Sequence, residues 1–169
     1  MKRALLFSVM ILVLALPAMA GEGDLKVGVV AGQPTGATIG YHFSDMIELN
    51  GIVGFGFGYY SSLAFSAGAN LLFTVYTFDI GGLEFPLSVG PQVMVNLGLN
   101  PLVDLFGVDG VVDIRFEHTF EDFPLNLFVE LGLGVQYYNY EWEGYSGQIY
   151  TDDYFNFLFS GAVGARYVF

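Results

Sequence analysis

The 169-residue chain contains no cysteine. That excludes a disulfide framework and any thiolate metal site, so an oxidising compartment is permitted but not exploited. Basic residues are almost as scarce. Five Lys and Arg stand against seventeen Asp and Glu, a formal net charge of −12. Two of the five, Lys2 and Arg3, sit at the very start. After residue 20 only Lys26, Arg115 and Arg166 remain, three positive charges against seventeen negative, or −14. Such a chain cannot neutralise a phosphate backbone, which excludes nucleic acid as a partner. Also missing after residue 20 are helical periodicity and any run of about 18 apolar residues, which excludes spanning helices.

What is present is nonetheless apolar. Hydrophobic residues make up 54% of the chain and aromatic residues 17%, values high for a water-soluble domain. The opening "MKRALLFSVMILVLALPAMA" has a basic start, an apolar run too short to span a bilayer comfortably, and small residues at Ala18 and Ala20. It reads as a secretory signal peptide over 1–20, leaving 21–169 as one domain. No Cys follows it, which excludes lipoprotein processing. An apolar exported chain without spanning helices has one membrane option, a closed β-barrel, because lipid offers open backbone groups no partner.

Short alternating segments split by turn residues recur along that domain. They predict eight strands, over 24–32, 36–43, 46–59, 63–76, 86–98, 110–120, 126–139 and 155–169. In the last, Phe155, Phe157, Phe159, Gly161, Val163, Ala165, Tyr167 and Phe169 share one parity, and none is charged. The other parity holds Asn156, Ser160, Gly164 and Arg166. Successive side chains of a strand point to opposite faces. One face is therefore greasy throughout, and the other is Gly, Ser, Asn, Gln and Thr with few charges. A secreted β-sandwich also alternates, but its polar face would carry many surface charges. The expected fold is all-β, a closed up-and-down antiparallel eight-stranded transmembrane β-barrel.

The same parity sends the charges inward. Lys26, Glu48, Asp113, Arg115, Glu117, Glu130 and Arg166 form an expected interior cluster. A charge facing mid-bilayer lipid would cost roughly 2–4 kcal/mol. Arg115 and Arg166 are expected to pair with Glu117 and Glu130 on the neighbouring strands six, seven and eight. Arg166 should reach Glu130, Glu117 or Asp113. A plug of salt bridges is the favoured reading of the cluster, over a gate or proton path.

Aromatic residues fall near strand ends, as two belts of interfacial rings would. Tyr59, Tyr60, Tyr137, Tyr138, Tyr140 and Trp142 mark one end. Phe43, Tyr76, Phe78, Phe85, Phe120, Phe123, Tyr167 and Phe169 mark the other. Catalytic and metal signals are weak. His42 and His118 lie on opposite parities with no serine or carboxylate at motif spacing. The acids Glu141, Glu143, Asp152 and Asp153 match no Ca²⁺ loop. "GIVGFGFG" continues a strand pattern with no helix after it, so its glycines make interior room and do not cradle phosphate. No cofactor, metal or enzymatic activity is expected.

Three stretches carry a family resemblance. They are "KVGVVAGQPTGATIGYHFSDMIELNGIVGF", "FEDFPLNLFVELGLGV" and the final "GAVGARYVF". In them Gly32, Pro34, Thr35 and Gly36 form a first hairpin. Glu121, Asp122 and Pro124 precede the strand of Glu130, and Gly164, Arg166, Tyr167 and Phe169 close the chain. This pattern resembles the small eight-stranded OmpA-like outer-membrane proteins of spirochaetes and some other bacteria. The resemblance implies a non-enzymatic outer-membrane barrel, and the even strand count would place both termini in the periplasm. Tyr167 and Phe169 would be its assembly signal for the barrel-assembly machinery. Expected partners are outer-membrane lipid and, through loop 140–154 with Tyr140, Trp142, Tyr145 and Tyr150, an extracellular ligand or host surface. A narrow channel is the alternative function. A lipid-modifying enzyme would need His, Ser or acidic residues grouped at one rim.

Overall fold

The computed structural model describes residues 25–57, 63–99, 103–120, 122–143 and 148–169. The expected signal peptide, with Tyr59, Tyr60, Glu121 and Tyr145, lies outside the described residues. Every regular element described is a strand. They are β1 (Leu25–Gly32), β2 (Thr35–Ser44), β3 (Ile47–Phe57), β4 (Leu63–Ile80), β5 (Leu83–Gly98), β6 (Val103–Thr119), β7 (Leu125–Glu143) and β8 (Ile149–Val168). Each strand runs antiparallel to the next, and β8 pairs back onto β1, so the ladder closes into a ring. A closed ring has no free edge to template aggregation.

The seam runs from Lys26↔Val168 to Gly32↔Ala162. Phe169 extends it by donating its backbone N–H to the Leu25 carbonyl at 2.9 Å. The two-residue period decides the rest. Even positions of β1, β3, β5, β7 and β8 face inward, as do those of β2 as far as His42, those of β4 as far as Thr74 and the odd positions of β6, and the buried polar residues fall on those parities; register shifts at His42/Ser44 and Thr74/Tyr76 reverse the parity beyond them.

Strand lengths depart from expectation. The predicted turn 77–85 shrinks to Gly81 and Gly82, with β4 and β5 paired on either side through Ile80↔Leu83 and Phe78↔Phe85. Two glycines with positive φ, 67° and 85°, form the two-residue hairpin turn that matches strand twist. The expected break at 99–109 is strand from Val103 onward, and loop 140–154 is largely strand. Val103↔Trp142 and Glu143↔Ile149 are the outermost pairs of a three-stranded extension of β6, β7 and β8. Ladder bonds between neighbours hold these segments, whatever their turn-like composition. Pro91, without a backbone donor, sits in β5 where the β4–β5 pairs skip from Asn70↔Gln92 to Phe73↔Val89.

Candidate functional site

The interior is the candidate site. Glu48 on β3 lies at its centre. Its Oε1 accepts from Arg115 Nη1 at 2.9 Å and Arg166 Nη1 at 2.7 Å. Its Oε2 accepts from Lys26 Nζ at 2.9 Å and also meets His42 Nε2. One carboxylate thus touches all three basic residues that follow residue 20. Glu117 accepts from Lys26 Nζ and from Arg166 Nη2, each at 2.7 Å. Glu130 takes Arg115 through Nε at 2.8 Å and Nη2 at 2.6 Å. Buried ions are tolerated only when paired and hydrogen-bonded in this way.

Neutral side chains complete the network. Arg166 donates through Nε to Asn126 Oδ1 at 2.9 Å and through Nη1 to Asn50 Oδ1 at 2.7 Å. Asn70 Nδ2 donates to Asp113 Oδ2 at 2.9 Å and Glu130 Oε2 at 3.3 Å, placing an amide between two carboxylates. The guanidiniums of Arg115 and Arg166 both lie over the Phe128 ring, 4.6 and 4.8 Å from its centroid. Such contacts gain strength when desolvated. Two inward glycines make the room. A Cβ on Gly164 would overlap the Phe128 ring, and one on Gly40 would crowd Arg166 Nη1 and Asn50 Oδ1.

The seven charged residues expected inside are all buried there. Of the three carboxylates expected within reach of Arg166, Glu117 is its partner. Glu130 binds Arg115, Asp113 binds Asn70, and a further partner that was not expected is Glu48 from across the ring. His42 also belongs to the cluster. Asn50, Asn70, Asn126 and Phe128 were not expected as members. Their inward parity was the available signal, and nothing about an uncharged residue advertised its use.

A second polar layer lies toward the β6–β8 extension. Ser66 Oγ donates to Asn96 Oδ1 at 2.6 Å, and Asn96 Nδ2 donates to Asp109 Oδ2 at 2.8 Å. Two voids of about 10 Å³ each adjoin these layers, and Gln92 borders both. Each is large enough for one water-sized particle. Beyond them Tyr138 and Tyr140 pack with Ala64, Leu105 and Tyr154. Tyr138 and Tyr140 therefore correct two expectations. They are buried in the interior and are neither belt nor surface-loop residues. Trp142 and Tyr150 do stay exposed and stack at 5.7 Å.

Among the described residues, His42, Glu48 and Glu117 bring three ligand atoms within 4.8 Å of one another. Lys26 Nζ already contacts all three, at 2.9, 2.9 and 2.7 Å. An ammonium thus occupies the position a metal ion would take. His118 points outward, stacked on Phe85 and edge-on to Phe120, with Nδ1 2.8 Å from the Glu84 carbonyl.

The outer face is apolar all round. Val29, Phe43, Phe55, Phe73, Val93, Val112, Leu133 and Phe157, one from each strand, are exposed, Phe157 at 92%. Tyr167 and Phe169 are exposed on this face, in edge-on contact at 4.8 Å. No protein-family model, curated protein or solved structure matches the chain.

Proposed function

We propose that this protein is an integral outer-membrane β-barrel, of the small OmpA-like type its motifs resemble. Its role on this reading is structural or surface-interacting, without enzymatic activity. The observation that carries the proposal is the inversion of faces. Large apolar side chains cover the outside of every strand, while paired charges fill the inside. Soluble monomers rarely expose apolar patches beyond a few hundred Å². Lipid would satisfy that face, and the closed ladder would leave no backbone group unpaired in it. On this reading the Gly81–Gly82 end is periplasmic and the β6–β8 extension is extracellular. Trp142 and Tyr150 would then be the contact pair for an external ligand or host surface. His42 Nε2 is engaged by Lys26 and Glu48, which argues against a role in lipid chemistry.

The test is fractionation and extraction. The protein should sediment with outer membranes, resist alkaline carbonate, and need detergent to stay in solution. Unheated, it should migrate faster on a denaturing gel than after boiling. A protein that remains monomeric in buffer without detergent would overturn the reading. The double substitution Trp142→Ala and Tyr150→Ala should preserve the fast-migrating band and remove binding to an external surface. Binding unchanged by that pair of substitutions would sink the contact-pair assignment alone.

A further inference from the structure

We infer that the Asp109 carboxylate binds a monovalent alkali cation inside the ring. Asp109 is 6% exposed, and it makes no ion pair among the described residues. Its Oδ2 accepts from Asn96, but its Oδ1 has no hydrogen-bond partner. A buried carboxylate with an unused oxygen is costly unless a cation or a proton meets it. All three basic residues beyond residue 20 are committed to Glu48, Glu117 and Glu130 in the other layer.

Asp109 borders a void of about 10 Å³, with Gln33, Ser66, Gln92, Asn96 and Ser160. Each of these side chains carries an oxygen, and oxygen ligands suit hard cations. The hydrogen-bond direction fits as well. Ser66 donates to Asn96, and Asn96 donates to Asp109, so Ser66 Oγ spends its proton on Asn96 and keeps lone pairs for an ion. The volume admits one water-sized particle, which excludes a hydrated ion or an organic cation. One carboxylate balances one charge, which favours an alkali ion over a divalent one that gathers several carboxylates. The other void differs in kind. Its orphan atoms are a donor, Asn50 Nδ2, and an acceptor, Asn70 Oδ1, a pair that suits a neutral water. The cation site is interior to the ring and independent of where the protein resides.

The test is thermal unfolding of the detergent-purified full domain in NaCl, KCl or choline chloride at one ionic strength. Choline is too large for the void. The unfolding temperature should be higher in Na⁺ or K⁺ than in choline and should climb with the logarithm of their concentration. Asp109→Asn, which keeps the shape and removes the charge, should abolish that dependence. Equal wild-type stability in all three salts would overturn the proposal, as would an undiminished dependence in Asp109→Asn. If that variant does not fold, wild-type crystals soaked in Tl⁺ decide. An anomalous peak in direct contact with Asp109 Oδ1 supports the site, and its absence overturns it.

Discussion

At the scale of single residues, Glu48 is the acceptor on which the interior turns. Arg115, Arg166 and Lys26 converge on its two oxygens. Glu48→Gln leaves three buried cations with two direct carboxylate partners and turns an amide N–H₂ toward other donors. Breaking a buried pair from one side costs roughly 3–5 kcal/mol. Glu48→Gln should lower unfolding stability in urea by that order. Arg166→Ala should do the same, by leaving Lys26 to be shared as the one direct cation partner of Glu117 and as one of two for Glu48. The identity of the partners makes a second prediction, read from a double-mutant cycle. Adding Glu117→Gln to Arg166→Ala should recover part of the loss, because it removes the carboxylate that lost one of its two cations and frees Lys26 for Glu48. Adding Glu130→Gln should not, because Glu130 is held by Arg115. Equal recovery from both would show that the interior pairs differently.

At the scale of elements, the β4–β5 hairpin depends on its two-residue turn. Gly81 and Gly82 both have positive φ, and Gly82 N–H donates to Asp79 Oδ1 at 2.9 Å. A Cβ at either position would meet nothing within 4 Å, so any penalty is purely one of backbone conformation. Gly82→Ala should cost about 1–2 kcal/mol locally. Gly81→Asn should cost less, since Asn is at home in the first position of such a turn. Amide exchange at Ile80 and Leu83 measures this directly, with faster exchange in Gly82→Ala than in Gly81→Asn. The β6–β8 extension is the other element that composition concealed. Its stretch "YEWEGYSGQIYTDD" reads as loop, yet Tyr140↔Asp152 and Trp142↔Tyr150 are ladder pairs. Pairing between neighbours outweighs local propensity, because strand preference is mostly the fit to a partner strand.

At the scale of the whole molecule, the interior decides between a plug and a passage. Eight strands enclose a space that side chains just fill. Here the charged layer, the Asp109 layer and the tyrosine layer follow one another, and the two voids bordering the first two are about 10 Å³ each. Purified protein in planar bilayers should give no reproducible unitary conductance in neutral buffer. Steady single-channel steps from the wild type would restore the channel alternative. The charge distribution is equally lopsided. Lys26, Arg115 and Arg166 are all buried inside, so the outer surface described carries acids and no Lys or Arg.

Sequence by itself determined what depends on a two-residue period. Which face Lys26, Glu48, Asp113, Arg115, Glu117, Glu130 and Arg166 occupy follows from their strand parity, and so do the apolar outer face and the strand count. Those properties are local, because consecutive side chains alternate whatever the partner strand is. The tertiary structure alone decided who meets whom. Glu48 is 118 residues from Arg166 in the chain, and on non-adjacent strands, yet the two are 2.7 Å apart. Ring closure and the reach of an arginine across a narrow interior set that distance, and no motif records either. Phe128 shows the same limit. Parity sends it inward, but only the meeting of two guanidiniums over its ring turns an apolar residue into part of a charge network. The true ends of β6, β7 and β8 were also decided in three dimensions, because each outer pair is held by a neighbour that sequence reading had assigned to a loop.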